Sequence, residues 1–371
     1  MKKLFMAVLL AAPGAIAQVP ALSDAPLKTI FGDKFQVSVA VNDDQAKNID
    51  KDGAAVIRHH FNSIVPENVL KCSMIHPEKD RYFWDDADAY VKFGEENGMT
   101  IIGHCLVWHY FLPEWFARDD KGNYVSADEL KSRMRDHIHT TVGRYKGRIK
   151  GWDVVNEAIS ADGRYCNTPY YEILGEEYIP LAFQYAHEAD PNAELYINDF
   201  GMNEPGRRDA YVRIINDLKR RGLRVDGIGM QGHMGMDYPD LDDYERSIEA
   251  FAATGCKVMI TEWDMTALPS LTNTATIDMK VDDNIAINPY VNGLDEDVDK
   301  HWNSRMDAFF SMFLRHADAI DRVTVWGLSD ATSWRNDWPV TGRTDYPVYF
   351  DRNLRMKPFL KKLSDYHKTK K

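Results

Sequence analysis

Eight short apolar runs alternate along the chain with stretches of helical periodicity, and this alternation restricts the fold more than any other feature. The runs occupy 35–41, 62–65, 99–103, 148–155, 194–197, 225–230, 256–260 and 323–326. Each has the length and composition of a strand buried on both faces. Between them, periodicity and end signals predict helices over 50–61, 85–97, 126–145, 176–189, 207–221, 241–254 and 295–317, with a closing helix over 357–367. Gly98, Gly222 and Gly255 stand where helices stop. Ser126 and Glu129 have the spacing of a capping box, in which each satisfies a backbone N–H of the other's turn. Such units, mostly spaced by about 30–40 residues, read as parallel βα repeats. Eight of them close into an α/β fold, the (β/α)8 TIM barrel, as one domain with its functional residues at the C-terminal strand ends. Polar and aromatic residues gather at the ends of runs 2, 3, 4, 6, 7 and 8. The alternative, an open doubly wound sheet, usually carries a glycine-rich phosphate loop after its first strand. Val41-Asn42-Asp43-Asp44 is no such loop.

The chain has 371 residues, 44% of them hydrophobic, which suffices for the core of one barrel. Its net charge of −12 argues against nucleic acid and anionic membrane as partners. Residues 1–17 read as a signal peptide, with basic Lys2-Lys3, a short apolar run over 4–12 and small residues Ala15-Ile16-Ala17 before the cleavage point. Export to a periplasm or the extracellular space is therefore expected. Cleavage takes the charge from −12 to −14, because Lys2 and Lys3 leave with the leader. No later run has the length of a membrane span. Residues 18–34 read as a poorly structured lead-in and 35–368 as the barrel. Cys72, Cys105, Cys166 and Cys256 match no zinc-ligand spacing. Cys105 and Cys256 fall in or beside apolar runs, where buried free thiols are the expectation, and Cys166 falls in a loop.

Two run ends carry a glutamate: Trp152-Asp153-Val154-Val155-Asn156-Glu157 and Met259-Ile260-Thr261-Glu262-Trp263-Asp264. Two facing carboxylates are the minimum apparatus of a glycosidase. The fourth and seventh strands lie far enough apart on the ring for their ends to face each other across the barrel mouth. A lone glutamate at a strand end is as often a surface ion pair. Asn156 beside one glutamate, and Gln231 and His233 on the strand next to the other, shift the balance toward chemistry. Strand alternation points Glu262 and Asp264 one way and Trp263 the other, toward the helices. Two acids on one side raise each other's pKa unless a donor lies between them, and His233 is placed to be that donor. A 12% aromatic content suits sugar rings, although most aromatic residues serve the core.

These residues form a recognisable series: Glu67-Asn68-x-x-Lys71, Gly103-His104-x-Leu106-Val107-Trp108-His109, Trp152 to Ala158, Gly229-Met230-Gln231-Gly232-His233, Ile260-Thr261-Glu262-x-Asp264, and Trp326 to Asp330 with Trp334. In this series the chain resembles glycoside hydrolase family 10, the endo-β-1,4-xylanases, over about residues 30–365. The resemblance implies hydrolysis of xylan and xylo-oligosaccharides by a retaining double displacement. It makes Glu157 the acid/base and Glu262 the nucleophile. His233 then bonds Glu262, Asp264 supports His233, and Asn156 holds the 2-hydroxyl of the sugar being cleaved. Glu67, Asn68, Lys71, His104 and Gln231 bind hydroxyls of the two sugars on the non-reducing side, with Trp108, Trp326 and Trp334 as apolar walls. No metal and no cofactor is implied, and a monomer is expected. Tyr170, Tyr171 and Trp338 are candidates for stacking on the acceptor side.

Two positions depart from the family's pattern. Trp263 stands where leucine is common, and 266–293 is a long loop after the seventh strand. Another retaining β-glycosidase, a β-1,4- or mixed-linkage glucanase, would use the same barrel. A carbohydrate-binding barrel without catalysis is disfavoured by the two intact glutamates. A metal-dependent hydrolase built on His104, His109 and His233 is disfavoured because the first strand ends Val41-Asn42-Asp43-Asp44 rather than in a His-x-His pair.

Overall fold

The computed structural model describes residues 19–269, 288–339 and 341–368. Eight parallel strands form the barrel: β1 (Gln36–Val41), β2 (Ser63–Pro66), β3 (Thr100–Val107), β4 (Gly151–Asn156), β5 (Glu194–Asp199), β6 (Gly227–Met230), β7 (Lys257–Thr266) and β8 (Ile320–Val325). Neighbours in sequence pair in order, β1 pairs β8, and β6 pairs β7 directly, so the ring is closed. A short strand, His233–Gly235, continues beyond β6 and pairs with the far end of β7 through His233 and Asp264. The helices of the outer layer are α1 (Lys51–His60), α2 (Asp85–Glu96), α3 (Ala127–Arg144), α4 (Tyr178–Ala189), α5 (Pro205–Arg220), α6 (Leu241–Ala252), α7 (Glu296–Arg315) and α8 (Pro358–Lys368). Ser126 caps α3 by accepting from the Glu129 backbone at 3.2 Å, but the reciprocal half of the capping box is not formed, because the Glu129 carboxylate takes Arg133 Nε at 2.8 Å instead. Among the described residues no helix is long and apolar enough to cross a membrane.

Apolar residues separate into two clusters. The large one fills the layer between strands and helices. The small one fills the barrel itself: Ala40, Val65, Ile102, Tyr196, Met259 and Trp326, with Trp334 resting on it. Every other residue of a strand points inward, so each strand feeds both cores. Gly229 on β6 is one position where the ring demands glycine. A Cβ there would lie 2.2 Å from Asn198 Oδ1 and 2.7 Å from Thr261 Cγ2.

Two strands run further than their apolar cores suggest. β3 continues past Gly103 to Val107, and β7 past Ile260 to Thr266. The register shifts along both, between His104 and Val107 and between Ile260 and Trp263. Such bulges bend a strand and re-aim its side chains at functional rims. Alternation still decides Trp263. It is fully buried in the outer layer, 5.0 Å from the Phe313 ring and 5.7 Å from that of Tyr349.

The lead-in is better structured than expected. Pro20–Ser23 is a short 3-10 turn and Leu27–Phe31 a short helix. Leu27, Ile30 and Phe31 are buried, and Phe31 meets Phe310 of α7 edge-on at 4.9 Å. A helix of five residues carries too little periodicity to be read from sequence, and its burial decides it. Cys72, Cys105 and Cys256 are buried free thiols, as expected for the two that lie in or beside apolar runs, and Cys166 is half-buried. The leader assigned to 1–17 and most of the 266–293 loop lie outside the described residues.

Candidate active site

Glu157 is the first residue beyond β4, and its φ of 58° places it in the left-handed region. A non-glycine residue in that region is held there by its surroundings. The Glu157 amide donates to the Asn198 carbonyl at 2.9 Å. Its carboxyl then takes three donors. Trp108 Nε1 reaches Oε2 at 2.9 Å, Gln231 Nε2 reaches Oε1 at 3.0 Å, and Asn156 Nδ2 approaches Oε1 at 3.4 Å. Burial raises its pKa to about 8, reinforced by the charges of Asp199 and Glu262 and opposed by the donors Gln231 and Trp108. Glu157 therefore holds its proton near neutrality.

Glu262 is just as buried, yet its pKa moves the other way. Burial alone would raise it. The hydrogen bond from His233, the charges of His104 and His233, and a donor from Asn198 together hold it below the usual carboxylate range. His233 Nε2 lies 3.1 Å from Glu262 Oε2 and its Nδ1 lies 3.0 Å from Asp264 Oδ1. Burial works against the imidazolium, but Asp264 and Glu262 outweigh it and carry the His233 pKa to about 9. Asp264 is in turn ionised, at about 2. Its own burial is overcome by Arg335, whose Nε donates at 2.9 Å, and by His233. Trp334 Nε1 donates to the remaining oxygen of Asp264 at 2.8 Å.

Asn198 connects the two glutamates. Its Nδ2 donates at 2.8 Å both to Asn156 Oδ1 and to Glu262 Oε1, while its Oδ1 accepts from Thr261 Oγ1 at 2.6 Å. Around this centre stand the remaining residues of the sequence motifs. His104 is buried, held by Asp153 at 2.9 Å and 5.4 Å edge-on from Trp326. Lys71 donates to Asn68 Oδ1 at 2.9 Å, with its Nζ 4.9 Å above Trp108 and 4.3 Å above Phe111. Burial lowers the Lys71 pKa and raises that of Glu67 to about 7. Trp334 stacks on Trp338 at 5.0 Å. Among the described residues no cluster of His, Cys, Asp or Glu could hold a metal. The arrangement suits acid-assisted nucleophilic displacement: one buried carboxylic acid, one buried carboxylate, and fixed donors around both.

Comparison with known proteins bears directly on this geometry. The model of glycosyl hydrolase family 10 matches residues 26–366. The chain belongs to glycosyl hydrolase family 10. Endo-1,4-beta-xylanase A of Xylanibacter ruminicola is 47% identical over 339 residues, covering 91% of this chain and 92% of the relative. Endo-1,4-beta-xylanase A of Thermotoga maritima is 37% identical over 346 residues, 89% of this chain, which spans only 30% of that longer protein. A solved family 10 endoxylanase from a sugarcane soil metagenome has a TM-score of 0.87 at 38% identity, covering 92% of this chain and 99% of that one.

In this family 10 barrel the fifth strand matters more than its sequence suggests. The strand ends in Asn198-Asp199, a pair with no motif around it. Asn198 bridges the glutamates, and Asp199 charges the space behind Glu157. Asp199 is itself raised to about 6 by burial, against Arg207 at 3.9 Å and the hydroxyl of Tyr211. Arg335 lies one residue past Trp334 with no signal of its own in the sequence, and only the folded loop brings it to Asp264. Of the acceptor-side candidates, Tyr170 is buried in the outer core against Tyr178 at 5.8 Å, so it cannot stack on a ligand. Tyr171 is half-buried and stacks on Tyr165 at 5.2 Å.

Proposed function

We propose that this chain hydrolyses β-1,4-xylosidic bonds within xylan by a double displacement in which Glu262 is the nucleophile and Glu157 the acid/base. The observation that carries the assignment is the opposite drift of two equally buried carboxyls, one protonated and one ionised at neutral pH. Glu262 Oε attacks C1 of the xylosyl unit while the Glu157 proton goes to the departing glycosidic oxygen. The covalent glycosyl-enzyme is then opened by water, whose proton returns to Glu157. Asn156, tethered by Asn198, is in place for the 2-hydroxyl of the sugar being cleaved. His233, fixed by Asp264, keeps Glu262 ionised. Glu67, Asn68, Lys71, His104 and Gln231 supply donors and acceptors for hydroxyls on the non-reducing side, and Trp108, Trp326 and Trp334 supply the apolar walls. Similarity to enzymes named endo-1,4-beta-xylanases favours xylan over glucans as substrate. Exclusion of one hydroxymethyl group by such walls is worth only roughly 1–3 kcal/mol, so slow turnover of aryl cellobiosides is compatible with this reading. Export is part of the proposal, supported by the basic, apolar and small-residue succession of residues 1–17.

The test is a digest of xylan, mixed-linkage glucan and carboxymethylcellulose, with anomers followed by NMR. Xylan should be cut fastest, into mixed oligosaccharides released first as the β-anomer. Glu262→Ala should fall below about a thousandth of the parent rate. First release of the α-anomer, or a faster rate on glucan, would overturn the reading.

A further inference from the structure

A groove of about 1050 Å³ lies beside the glutamates rather than over them. It begins at Ile159, two residues past Glu157, and at His109, next to Trp108, and runs outward between α4 and α5. Its position follows from the loop after β4. Ile159 and Tyr165 pair as an antiparallel bridge, and the Cys166 amide donates to the Ala158 carbonyl at 2.8 Å, so the chain doubles back on itself directly after Glu157. The turn of this hairpin is pinned to α5 at Gly163, where a Cβ would lie 2.6 Å from the Gly206 carbonyl oxygen. The hairpin thus holds Tyr165 opposite Ile159, in the loop that directly follows the acid/base. Thr168 caps the short helix Pro169–Leu174, accepting from the Tyr171 backbone at 3.2 Å, and sets Tyr171 parallel to Tyr165 with an interplanar angle of 8°. Both rings line the groove.

Arginine outnumbers acid along the wall of the groove. Four arginines and two acidic residues line it, in a chain of net charge −12. Three of the arginines are spoken for: Arg164 by Asp162, and Arg220 and Arg221 by Asp217. Arg213 on α5 is exposed and makes no side-chain hydrogen bond or ion pair among the described residues. An exposed guanidinium beside an aromatic pair matches a sugar that carries a carboxylate, because the fork binds two oxygens while the rings take the apolar face of the sugar.

We infer that this groove binds the acceptor-side portion of an acidic xylan chain, with Arg213 engaging the carboxylate of a uronic acid side group and the Tyr165–Tyr171 pair supporting the sugar. The inference rests on the xylanase reading above and adds the class of xylan that is preferred. Binding here is remote from the reacting atoms, so it lowers KM and leaves kcat alone.

The experiment compares glucuronoxylan with the same polymer after its carboxyl groups have been reduced to alcohols. Arg213→Ala should raise KM on glucuronoxylan by about 3- to 10-fold, the range of a solvent-exposed charge-assisted contact, with kcat unchanged. It should leave both constants unchanged on the reduced polymer. Arg213→Lys should restore most of the loss, and salt should erase the difference between the polymers. Equal KM shifts on both polymers, or none on either, would overturn the inference. Affinity electrophoresis in glucuronoxylan gels, with Glu262→Ala compared to the Glu262→Ala, Arg213→Ala double variant, reads binding without turnover. If the parent cleaves neither polymer, the xylanase reading fails, and this retardation still decides the groove: loss in the double variant supports it, and equal retardation refutes it.

Discussion

The two glutamates share burial and differ in their neighbours. Glu157 receives donors, which favour the carboxylate, yet the charges of Asp199 and Glu262 and the loss of water keep its proton on. Glu262 faces an imidazolium that is itself locked by Asp264. This difference has a measurable consequence for stability. The Glu157 pKa rises from an ordinary 4.5 to about 8 on folding. A raised acid contributes stability that is complete below the unfolded value and is lost as pH climbs through the folded one. Between about pH 4.5 and 8 the native state must therefore hold a proton at Glu157 that the unfolded chain has released, at a cost that grows with pH and levels off above 8. Glu157→Gln removes that titration at nearly constant shape. Its melting temperature relative to the parent should rise from about pH 5 to pH 8 and level off above, while xylan hydrolysis collapses. A difference in melting temperature that stays constant over this range would refute the raised pKa.

At the scale of elements, the ends of the strands do the chemistry and the bulges aim it. β7 carries Glu262 and Asp264 inward and Trp263 outward into the packing of α7, so tryptophan in place of leucine alters the outer core and not the site. β5 supplies the amide bridge of Asn198 and, one residue on, the charge of Asp199. Replacing Asp199 by Asn keeps an acceptor for Tyr211 and removes a charge that raises the Glu157 pKa. The alkaline limb of kcat/KM, which reports the free-enzyme acid, should move to lower pH in Asp199→Asn. An unmoved limb would mean that the charge of Asp199 does not raise the proton affinity of Glu157. Gly229 on β6 belongs to the same system, since it leaves the space that Asn198 occupies.

At the scale of the molecule, the closed ring separates stability from catalysis. The large outer core holds the barrel together, and the mouth carries buried charges that cost stability. The short helix Leu27–Phe31 belongs wholly to the outer core. Burying its three apolar side chains contributes roughly 1.5–3 kcal/mol each as an upper estimate. Deleting residues 1–31 should lower the melting temperature by at least about 5 °C while kcat/KM on xylan at 25 °C stays within about twofold. A loss of activity without a loss of stability would tie this segment to the site instead.

The sequence alone determined the eightfold strand–helix alternation, because strand and helix periodicities are local and each apolar run is bounded by its own turn or cap. It also singled out Glu157, Glu262, His233 and Asp264, because these residues sit at strand ends in motifs where few roles fit, and the fold brings His233 between Glu262 and Asp264. The outward placement of Trp263 followed from alternation, which needs no tertiary information. Other features waited for the tertiary structure. Asn198 is an ordinary strand-end residue until β4, β5 and β7 converge and make its amide the link between Asn156 and Glu262. Arg335 becomes a partner of Asp264 only when the loop after β8 folds over the mouth. Tyr170 looked available for a ligand until the outer layer closed around it. The protonation states were decided in the same way, since desolvation and the charges of residues distant in sequence act through space. At Asp199, where the fifth run carries no motif, and at Arg335, one residue past Trp334, the pattern of the chain no longer distinguishes a surface polar group from part of the site.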